Sequence, residues 1–163
     1  MGGRWTVRLL LALALIATTC WAVAAPNSAR VEAGLPFLRN YSPRDYAAHA
    51  QNWTVVQDHR GVIYVGNNDG VLEFDGERWR LIRTEKRTVV RALAVAPDGR
   101  IYVGAMGEIG RLEADARGRM HYVSLLDRLA PSDRDFDDVH HVFVHGDDIY
   151  FASYARLIRL RGD

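Results

Sequence analysis

The chain has 163 residues, of which 48% are hydrophobic and 25% are charged, and its formal net charge is +1. This length and composition are ordinary for one globular domain. Without the first 25 residues, which hold Arg4 and Arg8 but no acid, 19 basic and 20 acidic residues leave a net charge of −1. Because no basic field remains, we expect no binding to nucleic acid.

The N-terminus has the pattern of an export signal. Arg4 and Arg8 precede an apolar run over 9–17, and the small-x-small sequence Ala-Val-Ala at 22–24 supplies a cleavage pattern. This order of basic, apolar and small residues is typical of a secretory signal peptide. We therefore predict a signal peptide over 1–24 and a periplasmic location for the rest of the chain.

Two alternatives bear on this segment. Residues 9–29 carry no charge, a length that could also span a bilayer as an uncleaved anchor. Cys20 is the single cysteine, so no internal disulfide can form, and its place inside the signal favours an apolar residue that is discarded. A lead segment over 25–50 follows the signal.

A short sequence then occurs three times along the chain. The copies lie at 58–66, 97–104 and 146–152. Tyr64 and Tyr102 are 38 residues apart, and Tyr102 and Tyr150 are 48 apart. In each copy an apolar strand ends at a turn containing Gly, after which Ile-Tyr begins a second strand. Because glycine supplies the positive φ of tight hairpins, we predict two-residue hairpin turns at these places.

Four short strands in each of the first two copies, and three in the last, indicate a four-stranded antiparallel sheet as the repeating unit. A period of 38 to 48 residues is that of a propeller blade, whereas a β-sandwich does not require one sequence to return in the same strand. We predict an all-β chain with an incomplete β-propeller over 51–163. Its blades are expected at 51–83, 88–124 and 139–163.

The number of blades leads to a further expectation. About two and three-quarter blades are fewer than the roughly 4–8 with which propellers close. We therefore expect a truncated product or a fragment, and self-association through unpaired blade edges.

Five separated stretches of the sequence carry a resemblance to one group of propellers. They are LPFLRNYSP at 35–43, QDHRGVIYVGN at 57–67, GVLEFDG at 70–76, VRALAV at 90–95 and GAMGEIG at 104–110. Over about 34–163 the chain resembles the two-component regulator propeller sensors of bacteria. In that family a periplasmic propeller is followed by a Y_Y_Y immunoglobulin-like domain, a membrane helix and an output domain such as a histidine kinase or a diguanylate cyclase. The resemblance implies an input role, with carbohydrate-derived ligands for some members.

The candidate ligand-binding residues lie in the turn between the second and third strands of the first two copies. They are Asn67, Asn68, Asp69, Met106 and Glu108. Ligand contacts in propellers gather on loops at one end, although turn chemistry alone also accounts for these residues. We predict no catalytic residue, cofactor or metal site.

Two clusters that suggest metal binding have simpler interpretations. His141 and His145 lie on a predicted strand, roughly 13 Å apart at about 3.3 Å per residue, which is too far for one zinc ion. His140 points to the opposite face of that strand. Residues 133–138 have acids at alternate positions but lack the glycine of a calcium loop. We expect a solvated connector over 125–138, in which Leu125, Leu126 and Leu129 form one helical turn packed on the sheets.

The leading functional hypothesis is the ligand-sensing input module of a signalling receptor. The alternatives are a secreted propeller enzyme of the lyase or glycosidase type and a protein-binding scaffold. Four aromatic residues are expected to pack in the core between blades: Trp53, Tyr64, Phe74 and Trp79.

Overall fold

The computed structural model describes residues 37–161. The predicted signal peptide over 1–24 and the first part of the lead segment, up to residue 36, lie outside the described residues. All the elements given below belong to the compact unit that begins at Asn40. No helix within 37–161 is long and apolar enough to cross a membrane.

Three antiparallel sheets of four, four and three strands form the structure, which confirms the all-β prediction. In each sheet the strands are hydrogen-bonded in chain order. Sheet 1 contains β1 (Asn52–Gln57), β2 (Ile63–Asn67), β3 (Gly70–Phe74) and β4 (Trp79–Ile82). Sheet 2 contains β5 (Val90–Val95), β6 (Ile101–Ala105), β7 (Glu108–Ala114) and β8 (Met120–Ser124). Sheet 3 contains β9 (Val139–His145), β10 (Asp148–Ser153) and β11 (Leu157–Arg161).

One short helix, α1 (Pro43–Tyr46), precedes the sheets. Pro43 occupies its first turn, and the Asp45 carboxylate accepts a hydrogen bond of 2.6 Å from the backbone N–H of Ser42. These features stabilise a helix start. Tyr46 is buried, with its ring 5.7 Å from that of Trp79, so α1 packs against the outer strand of sheet 1.

The strand register fixes which residues of the repeat are equivalent. Tyr64 pairs with Val56 in sheet 1, and Tyr102 pairs with Ala94 in sheet 2. The first strands therefore follow the same spacing of 38 residues as the tyrosines. The residue of β5 equivalent to Trp53 of β1 is therefore Arg91.

The hairpin loops differ from the predicted two-residue turns in the first two sheets. Gln57 and Ile63 form the last pair of β1 and β2, so residues 58–62 form the loop. Asp58 Oδ1 accepts hydrogen bonds from the backbone N–H of Arg60 at 2.9 Å and of Val62 at 3.0 Å, which stabilises this wider loop. In sheet 3 the two-residue turn is present, because Asp148 pairs with His145. Gly61 does have the expected positive φ, at +85°.

The core lies between neighbouring sheets. One cluster of buried side chains joins sheets 1 and 2 and includes Tyr64, Val71 and Leu93. A second joins sheets 2 and 3 and includes Tyr102 and Phe151. The first strands of neighbouring sheets, β1, β5 and β9, lie side by side.

Glycines in the second strands permit this close packing of sheets. A Cβ added at Gly66 would lie 2.8 Å from the carbonyl oxygen of Val90, and one at Gly104 would lie 2.5 Å from Cγ1 of Val139. Val90 and Val139 are the first residues of β5 and β9. Each glycine therefore accommodates the start of the next sheet, and a larger residue would displace it.

The expectation that four aromatic residues fill the core between sheets holds for one of them. Tyr64 is buried between sheets 1 and 2, whereas Phe74 and Trp79 stack on each other at 4.6 Å and pack against Tyr41 on the other face of sheet 1. Trp53 is 44% exposed, because it stands where the strand pairing of β1 is interrupted.

The connector between sheets 2 and 3 is more buried than expected. Its helical turn is a 3-10 turn over Leu126–Arg128, and a second one covers Pro131–Asp133. Leu125 and Phe136 are buried in the cluster between sheets 2 and 3. The expectation of a solvated connector is therefore wrong for Phe136, whereas the expected packing of Leu125 on the sheets is confirmed; both side chains anchor the connector to the core.

Candidate functional site

The first strand of every sheet contains a bulge near its start. The register shifts between Asn52 and Thr54 in β1 and between Val90 and Ala92 in β5. In β9 the shift leaves out the residue between Val139 and His141. The residues without a cross-strand partner are therefore Trp53, Arg91 and His140. Bulges re-aim side chains and are frequent beside binding sites.

The first two bulge residues are in direct contact. The guanidinium carbon of Arg91 lies 4.0 Å from the centroid of the Trp53 ring, within the range of a cation–π interaction. Trp53 Nε1 donates a hydrogen bond of 2.7 Å to Asn68 Oδ1, which holds the ring by its edge. Arg91 Nε lies 2.6 Å from Asp138 Oδ2 as an ion pair, although the N–H is not aligned with that oxygen for a hydrogen bond.

The third bulge residue extends this row to sheet 3. The ring of His140 lies 4.1 Å from that of Tyr154, centroid to centroid. A cavity of about 330 Å³ lies between the two contacts. Its lining defines what we call the strand-start groove: Trp53, Arg91, His140, His141, Ala152, Ser153 and Tyr154.

Three buried polar atoms at the groove are left without a hydrogen bond. They are Arg91 Nε, Asp138 Oδ1 and His140 Nε2, none of which makes a hydrogen bond within residues 37–161, although Arg91 Nε is in the ion pair with Asp138 Oδ2. Buried polar groups are normally satisfied, and each exception points to water, to an ion or to a function. These buried atoms lie next to the groove, whose lining includes the exposed aromatic rings of Trp53 and Tyr154.

Asn67, one of the predicted site residues, is fully buried. Its Nδ2 atom donates to His49 O at 2.6 Å, to Gln51 O at 3.0 Å and to Asn52 Oδ1 at 2.7 Å. Its Oδ1 atom accepts from the backbone N–H of Asp69 at 2.9 Å. The amide therefore binds the end of the lead segment to sheet 1.

Glu108 is also fully buried. Its Oε2 atom accepts a hydrogen bond of 2.9 Å from Thr88 Oγ1, and both oxygens lie 3.3 Å from the backbone nitrogen of Lys86. Burial, together with the Glu108 and Glu85 carboxylates, raises the pKa of the Tyr122 phenol above its ordinary value. Glu108 thus holds the loop that enters sheet 2.

The other three predicted residues lie at the turns themselves. Asn68 supports the Trp53 ring, and Asp69 Oδ2 accepts a hydrogen bond of 2.8 Å from the backbone N–H of His49. Met106 is 46% exposed and forms an isolated β-bridge with Asp138. Asn68 and Met106 therefore adjoin the residues of the strand-start groove, whereas Asn67 and Glu108 face inward.

The residues that form the groove were missed by the sequence prediction. A signal for two of them was present, because Trp53 and Arg91 are 38 residues apart, the spacing of the repeat. His140 was considered only as a metal ligand. Within residues 37–161, no three His, Cys, Asp or Glu side chains are grouped closely enough to hold a metal ion.

Two further cavities, of about 250 and 500 Å³, lie at the opposite end of the strands, beside the first hairpin loops. Two ion pairs join charged side chains of their linings. Arg100 Nε lies 2.9 Å from Asp98 Oδ2, and Arg111 Nε lies 2.6 Å from Glu113 Oε1. Within the described residues, neither lining contains a buried polar atom that lacks a hydrogen bond, whereas the strand-start groove contains Arg91 and His140, which each have one. The strand-start groove is therefore a stronger candidate than these two cavities.

Comparison with protein-family models and with curated proteins found no match for this chain.

Proposed function

We propose that the three sheets are consecutive blades of a β-propeller that binds a ligand in the strand-start groove. The in-order antiparallel strands, the adjacent first strands and the glycines that admit the next sheet support a propeller. In such an array the first strands are innermost. The bulge residues of successive sheets then lie in a row around the axis at one end of the molecule.

The convergence of Trp53, Arg91 and His140 carries the proposal of ligand binding. These residues are far apart in the chain but stand at equivalent bulges, and they meet at one cavity. Flat aromatic surface combined with a few convergent polar groups is characteristic of small-molecule sites. The ligand class that fits is a hydroxyl-rich molecule with apolar faces, because these faces stack on the exposed rings of Trp53 and Tyr154 and its O–H groups bond to the polar part of the lining.

The role in signalling rests on the resemblance to the periplasmic propeller sensors. On this proposal the chain is an extracytoplasmic input module of a bacterial receptor and carries no catalytic residue. Its partners are a carbohydrate-derived ligand and the remainder of a receptor, namely a Y_Y_Y domain, a membrane helix and an output domain.

Calorimetric titration of the purified chain tests ligand binding. The probes are cellotetraose, xylotetraose, a galacturonate trisaccharide and a heparin tetrasaccharide, which cover neutral and acidic sugars. We expect at least one probe to bind, and Trp53→Ala and Tyr154→Ala to weaken that binding at least tenfold. His121→Ala, which removes an exposed ring from β8, serves as the control and should bind as the wild type does. Lack of binding by all four probes would contradict the proposal.

A further inference from the structure

The face of sheet 3 that points away from sheet 2 repeats a surface that is covered in the other two sheets. Tyr64 and Tyr102 are 0% and 3% exposed because the next sheet lies over them. Their equivalent, Tyr150, lies on a face where Phe143 is 56% exposed and Leu157 is 68% exposed. This face, which also contains His141 and Ala152, is called the open face of sheet 3.

Sheet 1 has the complementary feature. Leu93 and Val142 occupy equivalent positions in β5 and β9 and are 7% and 8% exposed, because each packs against the preceding sheet. The equivalent residue of β1 is Val55, which is 65% exposed. Sheet 1 thus also has an apolar side chain at the position that fills the interface in sheets 2 and 3. Among residues 37–161, no preceding sheet covers it.

The open face and β1 also have small or retracted side chains at the positions where neighbouring sheets approach each other most closely. Within the chain, Gly66 meets Val90 and Gly104 meets Val139. In the open face the glycine position holds Ala152, and the position of the two valines in β1 holds Asn52. The side chain of Asn52 is held against its own sheet, because its Oδ1 accepts a hydrogen bond of 2.7 Å from Asn67 Nδ2. A strand equivalent to β1 placed on the open face would therefore bring a retracted side chain, rather than a valine, to the methyl group of Ala152.

We propose that the open face of sheet 3 binds the first strand of sheet 1 of a second copy of this chain. Val55 of one copy packs on Phe143, Tyr150 and Leu157 of the other, and continues the packing seen between sheets 1 and 2 and between sheets 2 and 3. Such a contact is head-to-tail, and two copies close a ring through two identical interfaces. The six sheets that residues 37–161 of two copies supply lie within the range of roughly 4–8 with which propellers close.

Light scattering coupled to size-exclusion chromatography tests this proposal on the full chain. We expect a mass of two chains for the wild type. Val55→Asp and Phe143→Asp should each reduce the mass to one chain, because each places a carboxylate in the apolar contact. His121→Asp adds the same charge at an exposed position of β8 and should leave the mass at two chains.

Mixing the two variants distinguishes a head-to-tail contact from a symmetric one. Val55→Asp keeps an intact open face, and Phe143→Asp keeps an intact β1. An equimolar mixture can therefore form one wild-type interface, and we expect the mass of two chains to return in part. Circular dichroism checks that both variants are folded, and Val55→Thr and Phe143→Ser replace them if they are not.

Three outcomes would overturn the proposal. The first is a wild-type mass of one chain. The second is a mass of two or more chains that neither substitution reduces, which would indicate pairing through strand edges. The third is a mixture that stays at the mass of one chain, which would indicate an interface in which one surface pairs with the same surface of the other copy.

Discussion

The guanidinium of Arg91 covers the ring of Trp53 at 4.0 Å from its centroid. Each residue stands at the bulge of the first strand of its own sheet, so this contact links sheets 1 and 2 at the strand-start groove. It also explains why an exposed tryptophan is held in one orientation. The packing of Arg91 depends in turn on Asp138, which enters from the connector before sheet 3.

Replacing Arg91 by Met should destabilise the protein. The variant keeps the length of the side chain but removes the partner of Asp138, whose side chain is 18% exposed. Leaving a largely buried carboxylate unpaired costs about 2–4 kcal/mol of the free energy of unfolding. Urea unfolding measures the loss. The double variant Arg91→Met/Asp138→Asn should recover part of it, and a single variant as stable as the wild type would contradict the pairing.

Gly104→Ala should disturb the packing between sheets 2 and 3. Its Cβ would lie 2.5 Å from Cγ1 of Val139 and 2.9 Å from Cγ2 of Val142. Overpacking of this kind costs about 1–3 kcal/mol, measured by urea unfolding. Adding Val139→Ala removes the nearest methyl groups, so we expect the double variant to lose less than the sum of the two single losses. Additive losses would show that the two residues are not in contact.

The hairpin loop of sheet 1 should give a pH-dependent contribution to stability. Burial of Asp58 acts to raise the pKa of its carboxyl, but hydrogen bonds from the Arg60 side chain and from the backbone N–H groups of Arg60 and Val62 outweigh burial and hold the pKa below 3.8. Since the folded pKa is lower than the unfolded one, this stabilisation is present above the unfolded pKa. It is lost as the pH falls through the folded pKa.

Asp58→Asn tests that contribution. We expect the variant to be less stable than the wild type at neutral pH and the difference to shrink as the pH is lowered below about 4. Thermal unfolding followed by circular dichroism at several pH values measures both. Asp147→Asn, at an exposed aspartate, serves as the control. A difference that stays constant down to pH 2 would count against a lowered pKa at Asp58.

Asn67→Ala and Glu108→Ala separate a structural role from a role in binding. Each variant leaves buried backbone or hydroxyl groups unpaired, which costs about 1–3 kcal/mol. At a temperature where the variants are folded, we expect their affinity for a bound oligosaccharide to match that of the wild type. A tenfold loss of affinity with unchanged stability would place them among the ligand contacts instead.

The sequence predicted the strands well because the repeat is local. Ile-Tyr after a turn marks the second strand of every sheet, and the spacing of Tyr64 and Tyr102 gives the register of that strand directly. The loop lengths could not be read in the same way. The width of the 58–62 loop depends on which backbone N–H groups the Asp58 carboxylate binds, and sequence alone does not settle that choice.

The candidate site was harder to predict because bulges interrupt the alternation of strand residues. Trp53 has a large aromatic side chain of the kind expected in the core, yet the bulge turns it toward Arg91 and solvent. Glu108 has a charged side chain of the kind expected in an exposed turn, yet it is fully buried. Burial is possible because Thr88 and the Lys86 backbone donate hydrogen bonds to its carboxylate. In both cases a contact with another part of the chain overrides the local pattern.

Chemical-shift mapping with the oligosaccharide that binds is the most direct measurement of where the ligand lies. Titration of the ¹⁵N-labelled chain should move the indole N–H signal of Trp53 and the amide signals of Arg91, Ser153 and Tyr154. The loops at the opposite end, around Asp98 and at 146–147, should not respond. Shifts concentrated at that opposite end, with the Trp53 signal unchanged, would contradict ligand binding in the strand-start groove.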